Sequence, residues 1–112
     1  MTQPAFAAIQ SRAEAAALRR LANVRLAAGG VAFDALLAQE VHPSGLFGEM
    51  GELRNTLRLG AASLPATVVR DVLVEYDLDS YSAAELAAKK PASFHVDAIE
   101  PYGAAGVKVW LR

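Results

Sequence analysis

The chain has 112 residues, which suits a single domain, and its lack of cysteine excludes disulfides, thiolate chemistry and cysteine-ligated metal sites. Hydrophobic residues make up 54% and charged residues 21%, so we expect the chain to fold, although much of the apolar fraction is alanine. The formal net charge of −1 gives no basic excess, which argues against tight sequence-independent binding of nucleic acid.

The first predicted element is a helix over residues 4–22. Thr2 can cap this helix, Pro4 suits its first turn, and alanine, leucine, glutamate and arginine fill its interior. Apolar residues at helical spacing form one narrow stripe, made of Phe6, Ile9, Ala13, Ala17 and Leu21. Arginines off the stripe form a basic flank that is either solvated or contacts a partner: Arg12, Arg19 and Arg20.

A β-structure is predicted over residues 24–111, because the apolar period changes to two at Val24. The segments "NVRL", "AAGG" and "VAFDALL" predict a hairpin with Gly29 and Gly30 in its turn. In its second strand Val31, Phe33 and Ala35 share one face, and Asp34 lies on the other.

Residues 38–55, "AQEVHPSGLFGEMGELRN", are predicted to form a long loop, because they contain three glycines, one proline and no clean period. Loops of this length inside a compact domain are uncommon and are often functional. Several side chains on it are candidate contacts: Leu46, Phe47, Glu49, Met50 and Glu52. Phe47 either packs back onto the β-structure of its own chain or docks on a neighbouring subunit.

Two further strands and a short helix are predicted between the loop and residue 92. "TLRL" (56–59) and "VLVEY" (72–76) are strands, and Leu57 and Leu59 point inward. Residues 77–92 form an insertion with a helix over 83–90, because Ser82 and Glu85 have the spacing of a capping box. The prediction is therefore one domain over residues 1–112 of mainly β (α+β) class. It is a small antiparallel barrel or sandwich of about six strands, with an N-terminal helix and a short inserted helix.

The segment "FHVDAIEPYGAAGVKVWL" (94–111) predicts a closing hairpin. In its last strand Val107, Val109 and Leu111 point to the core, while Lys108, Trp110 and Arg112 point outward. Either the N-terminal helix, through Phe6 or Ile9, or a neighbouring subunit is expected to cover Trp110.

No group of residues has the spacing of a catalytic or metal site. His42 and His95 each lack a second histidine at ligand spacing and are expected to be solvated. "DLDS" lacks the rest of a calcium loop, "AAGG" lacks the lysine and helix of a phosphate loop, and Glu49 with Glu52 is not a rigid carboxylate pair. We therefore expect a protein that is not an enzyme and needs no cofactor or metal.

The sequence predicts neither a membrane span nor an export signal. No apolar run approaches the roughly 20 residues of a membrane span. The segment "MTQPAFAAIQSRAEAAALRR" lacks a basic region followed by an apolar core, so it is not a secretory signal. We expect the protein to be cytoplasmic when it is made.

The order of segments in the second half resembles the head–tail joining (head-completion) proteins of tailed bacteriophages, the neck proteins typified by the small neck protein of lambda-like phages. The segments are "TLRLGAASLP", "RDVLVEY" and "FHVDAIEPYGAAGVKVWL", and the opening helix and "VRL-AAGG-VAFDALL" also fit. The resemblance covers nearly the whole chain as a pattern of residue types and spacing. The chain departs from it in having Arg70 before Asp71, where the family often has glycine, and in the longer stretch 77–92.

The resemblance implies a non-enzymatic barrel that assembles as a ring, typically a hexamer, in the virion neck after synthesis in the host cytoplasm. Such a ring lies between the portal and its adaptor above and the tail terminator and tail tube below, and packaged DNA passes through its lumen. A ring needs two different complementary faces on each subunit. The candidate contact residues are Arg12, Arg19, Arg20, Leu46, Phe47, Glu49, Met50, Glu52, Lys108, Trp110 and Arg112. A tail terminator, an adaptor ring and a small binding barrel are the alternatives.

Overall fold

The computed structural model describes residues 20–42 and 51–112, together with Ile9, Arg12, Ala13 and Ala17. Its strands are β1 (Val24–Ala28), β2 (Val31–His42), β3 (Glu52–Gly60), β4 (Leu73–Tyr76), β5 (Ser93–Tyr102) and β6 (Gly106–Leu111). One α-helix, α1 (Ala83–Ala88), and two 3₁₀ turns, Ala61–Ser63 and Leu78–Ser80, lie between strands in this part of the chain. The predicted N-terminal helix, residues 4–22, lies for most of its length outside the described residues.

The strands form a closed antiparallel barrel in the order β1-β2-β3-β6-β5-β4. β4 returns to β1 through the pairs Leu26–Tyr76, Ala27–Glu75 and Ala28–Val74, and this pairing closes the barrel. The prediction of a mainly β fold with about six strands is therefore confirmed. The structure also decides between barrel and sandwich, because closure pairs both edges of the sheet.

The first hairpin turns at Gly29 and Gly30, as predicted. Their φ angles are 56° and 81°, and a two-residue turn between right-twisted strands needs positive φ at both positions. Glycine adopts this backbone conformation without steric cost.

Alternate residues of the strands fill the barrel interior. Leu57 and Leu59 of β3 are buried, and so are Val109 and Leu111 of β6, as the period-two pattern predicts. The rest of the core comes from β1, β2, β4 and β5, together with the loop residue Val68: Leu26, Ala28, Phe33, Ala35, Val74, Tyr76, Phe94 and Val96. The interior is therefore a packed apolar core.

The predicted loop over residues 38–55 is wrong at both of its ends. β2 continues to His42 and β3 begins at Glu52, and the two strands pair from Leu36–Arg58 to His42–Glu52. Glycine and proline in the middle of this segment obscured the alternation at its ends, where the sequence has no breaker. Residues 43–50 lie outside the described part of the chain.

The insertion contains the predicted short helix, which ends at Ala88 rather than at residue 90. The capping box is formed, because Ser82 Oγ accepts from the Glu85 N–H and Glu85 Oε1 accepts from the Ser82 N–H, both at 3.1 Å. Tyr81 beside it packs edge-on against Tyr76, with ring centroids 5.7 Å apart, so the insertion rests on the barrel end.

Candidate functional site

The hairpin of β2 and β3 continues past the closed part of the barrel. β1 pairs with β2 only as far as Ala35, and β6 pairs with β3 only as far as Thr56. In the described part of the chain, residues 39–42 and 52–55 thus have only each other as strand partners. We call this two-stranded segment the arm. A ribbon of two strands is only marginally stable alone, so the contacts that hold it are informative.

Glu40 joins the arm to the outer wall of the barrel. Its carboxylate accepts hydrogen bonds from Thr56 Oγ1 at 2.7 Å and from Lys108 Nζ at 2.9 Å. Arg58 Nη2 lies 2.8 Å from Glu40 Oε1. One carboxylate therefore ties β2 to β3 and β6 through two cations and a buried hydroxyl, and such charge-assisted bonds are stronger than neutral ones.

The electrostatics of Glu40 follow from these partners. Burial by itself would raise the pKa of the carboxyl group, but the hydrogen bonds from Lys108, Thr56 and Arg58 outweigh it. Together they lower the pKa of Glu40 from 4.5 to about 2. The group is consequently ionised at neutral pH and provides a fixed negative charge between two positive ones.

Trp110 lies on the outer wall, as predicted, and is only 7% exposed in the single chain. The ring of His42, from the arm, meets it edge-on, with 4.7 Å between centroids and 88° between planes. Lys108 Nζ lies 5.4 Å from the centre of the Trp110 ring. These groups contribute to its cover. Phe6 lies outside the described residues, and Ile9 is itself 64% exposed.

Two polar atoms are buried and have no hydrogen-bond partner among the described residues. They are Nδ1 of His42, in the arm, and Nε of Arg58, on the barrel wall. The rest of the Arg58 guanidinium is engaged, because Nη1 donates to the Tyr102 hydroxyl at 3.1 Å and the cation stacks 4.6 Å from that ring. His42 is thus a partly buried residue of β2, and the expectation of a solvated loop histidine is wrong.

A second ion-pair chain fixes the other strand of the arm. Arg54 Nε donates to Glu52 at 2.8 Å, and Arg54 Nη1 donates to Asp97 Oδ2 at 2.7 Å. Asp97 lies at a register shift of β5, between Val96 and Ala98, and such bulges re-aim a side chain. Both strands of the arm are therefore attached to the β5–β6 side of the barrel.

The opposite face of the arm carries an exposed apolar pair. Val41 and Leu53 are direct cross-strand partners and are 56% and 66% exposed. They continue the series of residues that faces the core further along the same strands, but neither belongs to the core cluster of the described residues. The described part of the barrel therefore leaves this apolar pair largely exposed.

The structure brings together only some of the predicted contact residues. Lys108 and Trp110 adjoin the arm, and Glu52 begins its second strand. Arg112 instead pairs with Asp71, and Arg12 and Arg20 are exposed. The other candidates lie outside the described residues: Arg19, Leu46, Phe47, Glu49 and Met50.

The residues that hold the arm were not predicted from the sequence. Glu40, Thr56 and Arg58 were not singled out, and His42 was assigned to a loop. The alternation of "QEVH" and "ELRN" could have identified them, because the first continues the strand before it and the second leads into the strand after it, in each case without an intervening glycine or proline.

No helix in the described part of the chain is long and apolar enough to cross a membrane. Likewise, no three histidine, aspartate or glutamate side chains of these residues are grouped so that they could hold a metal ion. Comparison of the chain with protein-family models and with curated proteins gives no match.

Proposed function

We propose that the protein is a structural subunit of a phage neck, which joins the DNA-filled head to the tail and helps to retain the packaged DNA. In this proposal it acts as a ring, typically a hexamer, in the virion neck. Its partners are the portal and adaptor on one side and the tail terminator and tail tube on the other. It catalyses no reaction and uses no cofactor.

The observation that carries the proposal is the arm. The described strands enclose a packed apolar core, and outside this core Glu40 and Arg54 hold a two-stranded extension in place. The extension presents Val41 and Leu53 to solvent. The fold holds this apolar surface in place but does not bury it. Such a surface suits contact with another subunit or another ring.

The near-neutral charge of the chain supports the same function. The formal net charge is −1, and the arginines in the arm and at its base, Arg54 and Arg58, are both ion-paired. A lumen without excess positive charge lets DNA pass without strong adhesion, whereas a nucleic-acid-binding barrel needs a basic track.

Electron microscopy of particles assembled without this protein tests the function. Full heads beside free tails of normal length are the expected result. Tails of irregular length would identify a tail terminator instead, and intact virions would exclude a role in the neck.

A paired variant links the particle defect to the arm. Val41→Thr with Leu53→Thr keeps β propensity and removes the apolar surface. We expect folded protein that does not join heads to tails. Val69→Thr, at a residue 54% exposed outside the arm, is the matched control and should give normal virions.

A further inference from the structure

A groove runs along the barrel wall on the side of β1 and β4. Its volume is about 610 Å³, and its lining includes Ala27 of β1, Leu73 of β4 and Leu78 of the following 3₁₀ turn. Gly29 and Gly30 at one end add no side chains. Leu73 and Leu78 are 40% and 68% exposed, so the groove has an apolar surface that the chain leaves open.

The rim of this groove is acidic. Glu75 and Asp79 both line it and are exposed, and neither is ion-paired with another residue of the described part of the chain. Asp77 between them is already engaged, because it accepts from Arg25 Nε at 3.2 Å and from Ser80 Oγ at 2.7 Å. An apolar surface beside two free carboxylates fits an apolar segment with a basic flank.

The chain itself has such a segment near its N-terminus. Ile9 and Leu21, two positions of the predicted apolar stripe, are 64% and 58% exposed. Ala13 and Ala17, which lie between them on the stripe, are exposed as well. The basic flank is represented by Arg12 and Arg20, both exposed. The barrel of the same chain therefore does not bury these stripe positions, and they do not occupy its own groove.

We propose that the groove beside β4 binds the stripe positions Ile9, Ala13, Ala17 and Leu21 of a second copy of this chain. Arg12 and Arg20 of that copy then face Glu75 and Asp79. This inference rests on the proposed function and names the contact by which the ring assembles. The contact is heterologous, since each subunit offers a stripe to one neighbour and a groove to the other, and a contact of this kind closes into a ring when the rotation allows.

Cysteine cross-linking tests the contact directly, because the native chain contains no cysteine. Ile9→Cys is made in one preparation and Leu78→Cys in another, and the two are mixed and oxidised. A cross-linked heterodimer is expected. Val69→Cys in place of Leu78→Cys is the matched control, at an exposed residue that does not line the groove, and it should cross-link at least tenfold more slowly. Equal rates for the two partners would overturn the proposal.

Charge reversal tests whether the arginines of one copy pair with the groove carboxylates of another. We expect Arg12→Glu with Arg20→Glu, or Glu75→Arg with Asp79→Arg, to weaken self-association at least tenfold, as measured by native mass spectrometry. Mixing the two variants should restore it, because the reversed charges are again opposite.

The two proposals fail in different ways. Rings that form unchanged from either charge-reversed variant would overturn the groove contact and leave the proposed function standing. A chain that is monomeric at every concentration and gives no heterodimer would also overturn the groove contact. The micrographs of particles made without the protein decide the neck function independently of either result.

Discussion

His42 of the arm lies edge-on against Trp110 of β6, with ring centroids 4.7 Å apart. The two residues are far apart along the chain, and Trp110 pairs in the sheet with Thr56 rather than with any residue of β2. The contact therefore requires the outer face of the arm to curve over the barrel wall. The same curvature brings Glu40 to Lys108, so a histidine and a glutamate two residues apart hold the arm at two points.

The His42–Trp110 contact predicts the behaviour of the single tryptophan. Replacing His42 by alanine should open one side of the indole, which is now 7% exposed, and increase its quenching by acrylamide. We expect a loss of about 1 kcal/mol in the free energy of unfolding, on the scale of an aromatic pair. His95→Ala, at an exposed histidine of β5, is the control and should change neither value. Unchanged quenching in His42→Ala would show that other residues cover Trp110.

The lowered pKa of Glu40 predicts how the stability of the fold depends on pH. Its pKa in the folded chain, about 2, lies below the ordinary value of 4.5, so the ionised form stabilises the fold. That stabilisation is fully present above pH 4.5 and is lost as the pH falls through about 2. Glu40→Gln should therefore be less stable than the native chain by about 1–3 kcal/mol at neutral pH, and the difference should shrink as the pH falls below 4.5.

Urea unfolding of both proteins between neutral pH and pH 2 measures this difference. The pKa values of Asp77 and Glu85 are also lowered, by hydrogen bonds from Ser80 and within the capping box, but these groups are present in both proteins and their effects cancel. Glu100→Gln, at an exposed residue of β5, should stay within about 0.5 kcal/mol of the native chain at each pH. A difference for Glu40→Gln that does not vary with pH would contradict the assigned role of its charge.

The side chain of Asn23 takes the place of a strand partner for Leu37. Its Oδ1 accepts from the Leu37 N–H at 2.7 Å, and its Nδ2 donates to the Leu37 carbonyl at 3.1 Å, at the position where β1 no longer reaches β2. Asn23→Ala should lower the free energy of unfolding by about 1–2 kcal/mol and speed amide exchange at Leu37. Asn23→Asp retains the acceptor, so Leu37 should stay better protected than in the alanine variant. Equal exchange in all three proteins would show that the amide adds nothing.

The two glycines of the first turn form a matched pair. Both have positive φ, but a Cβ at Gly29 would lie 3.0 Å from Thr67 Cγ2, whereas a Cβ at Gly30 would meet no atom within 4 Å. Gly30→Ala should cost about 1 kcal/mol from backbone strain alone. Gly29→Ala should cost more, because Thr67 is itself held by a 2.7 Å bond from its hydroxyl to the Ala28 carbonyl. Thermal unfolding of both variants checks the order, and the reverse order would refute the argument.

The predictions from sequence succeeded where one local signal acted alone. Paired glycines between alternating strands predicted the turn at Gly29 and Gly30, and the Ser82–Glu85 spacing predicted the capped helix. The arm was missed because the same stretch carries two conflicting signals, an alternation at its ends and breakers in its middle. A prediction from sequence weighs such signals together over the whole segment. In the folded chain, the pairing of β2 with β3 stabilises each end of the segment separately.

The sequence by itself determined the approximate number of strands, the first turn, the inward set of β6 and the outward position of Trp110, because these depend on backbone preferences and on alternation along one strand. Only the tertiary structure decided which residues meet on the outer wall. Glu40, Arg58 and Lys108 come from three strands, and their contact depends on register and on the curvature of a closed sheet. Closure itself was also a tertiary outcome, since the same six-strand pattern suits a sandwich until β4 pairs with β1.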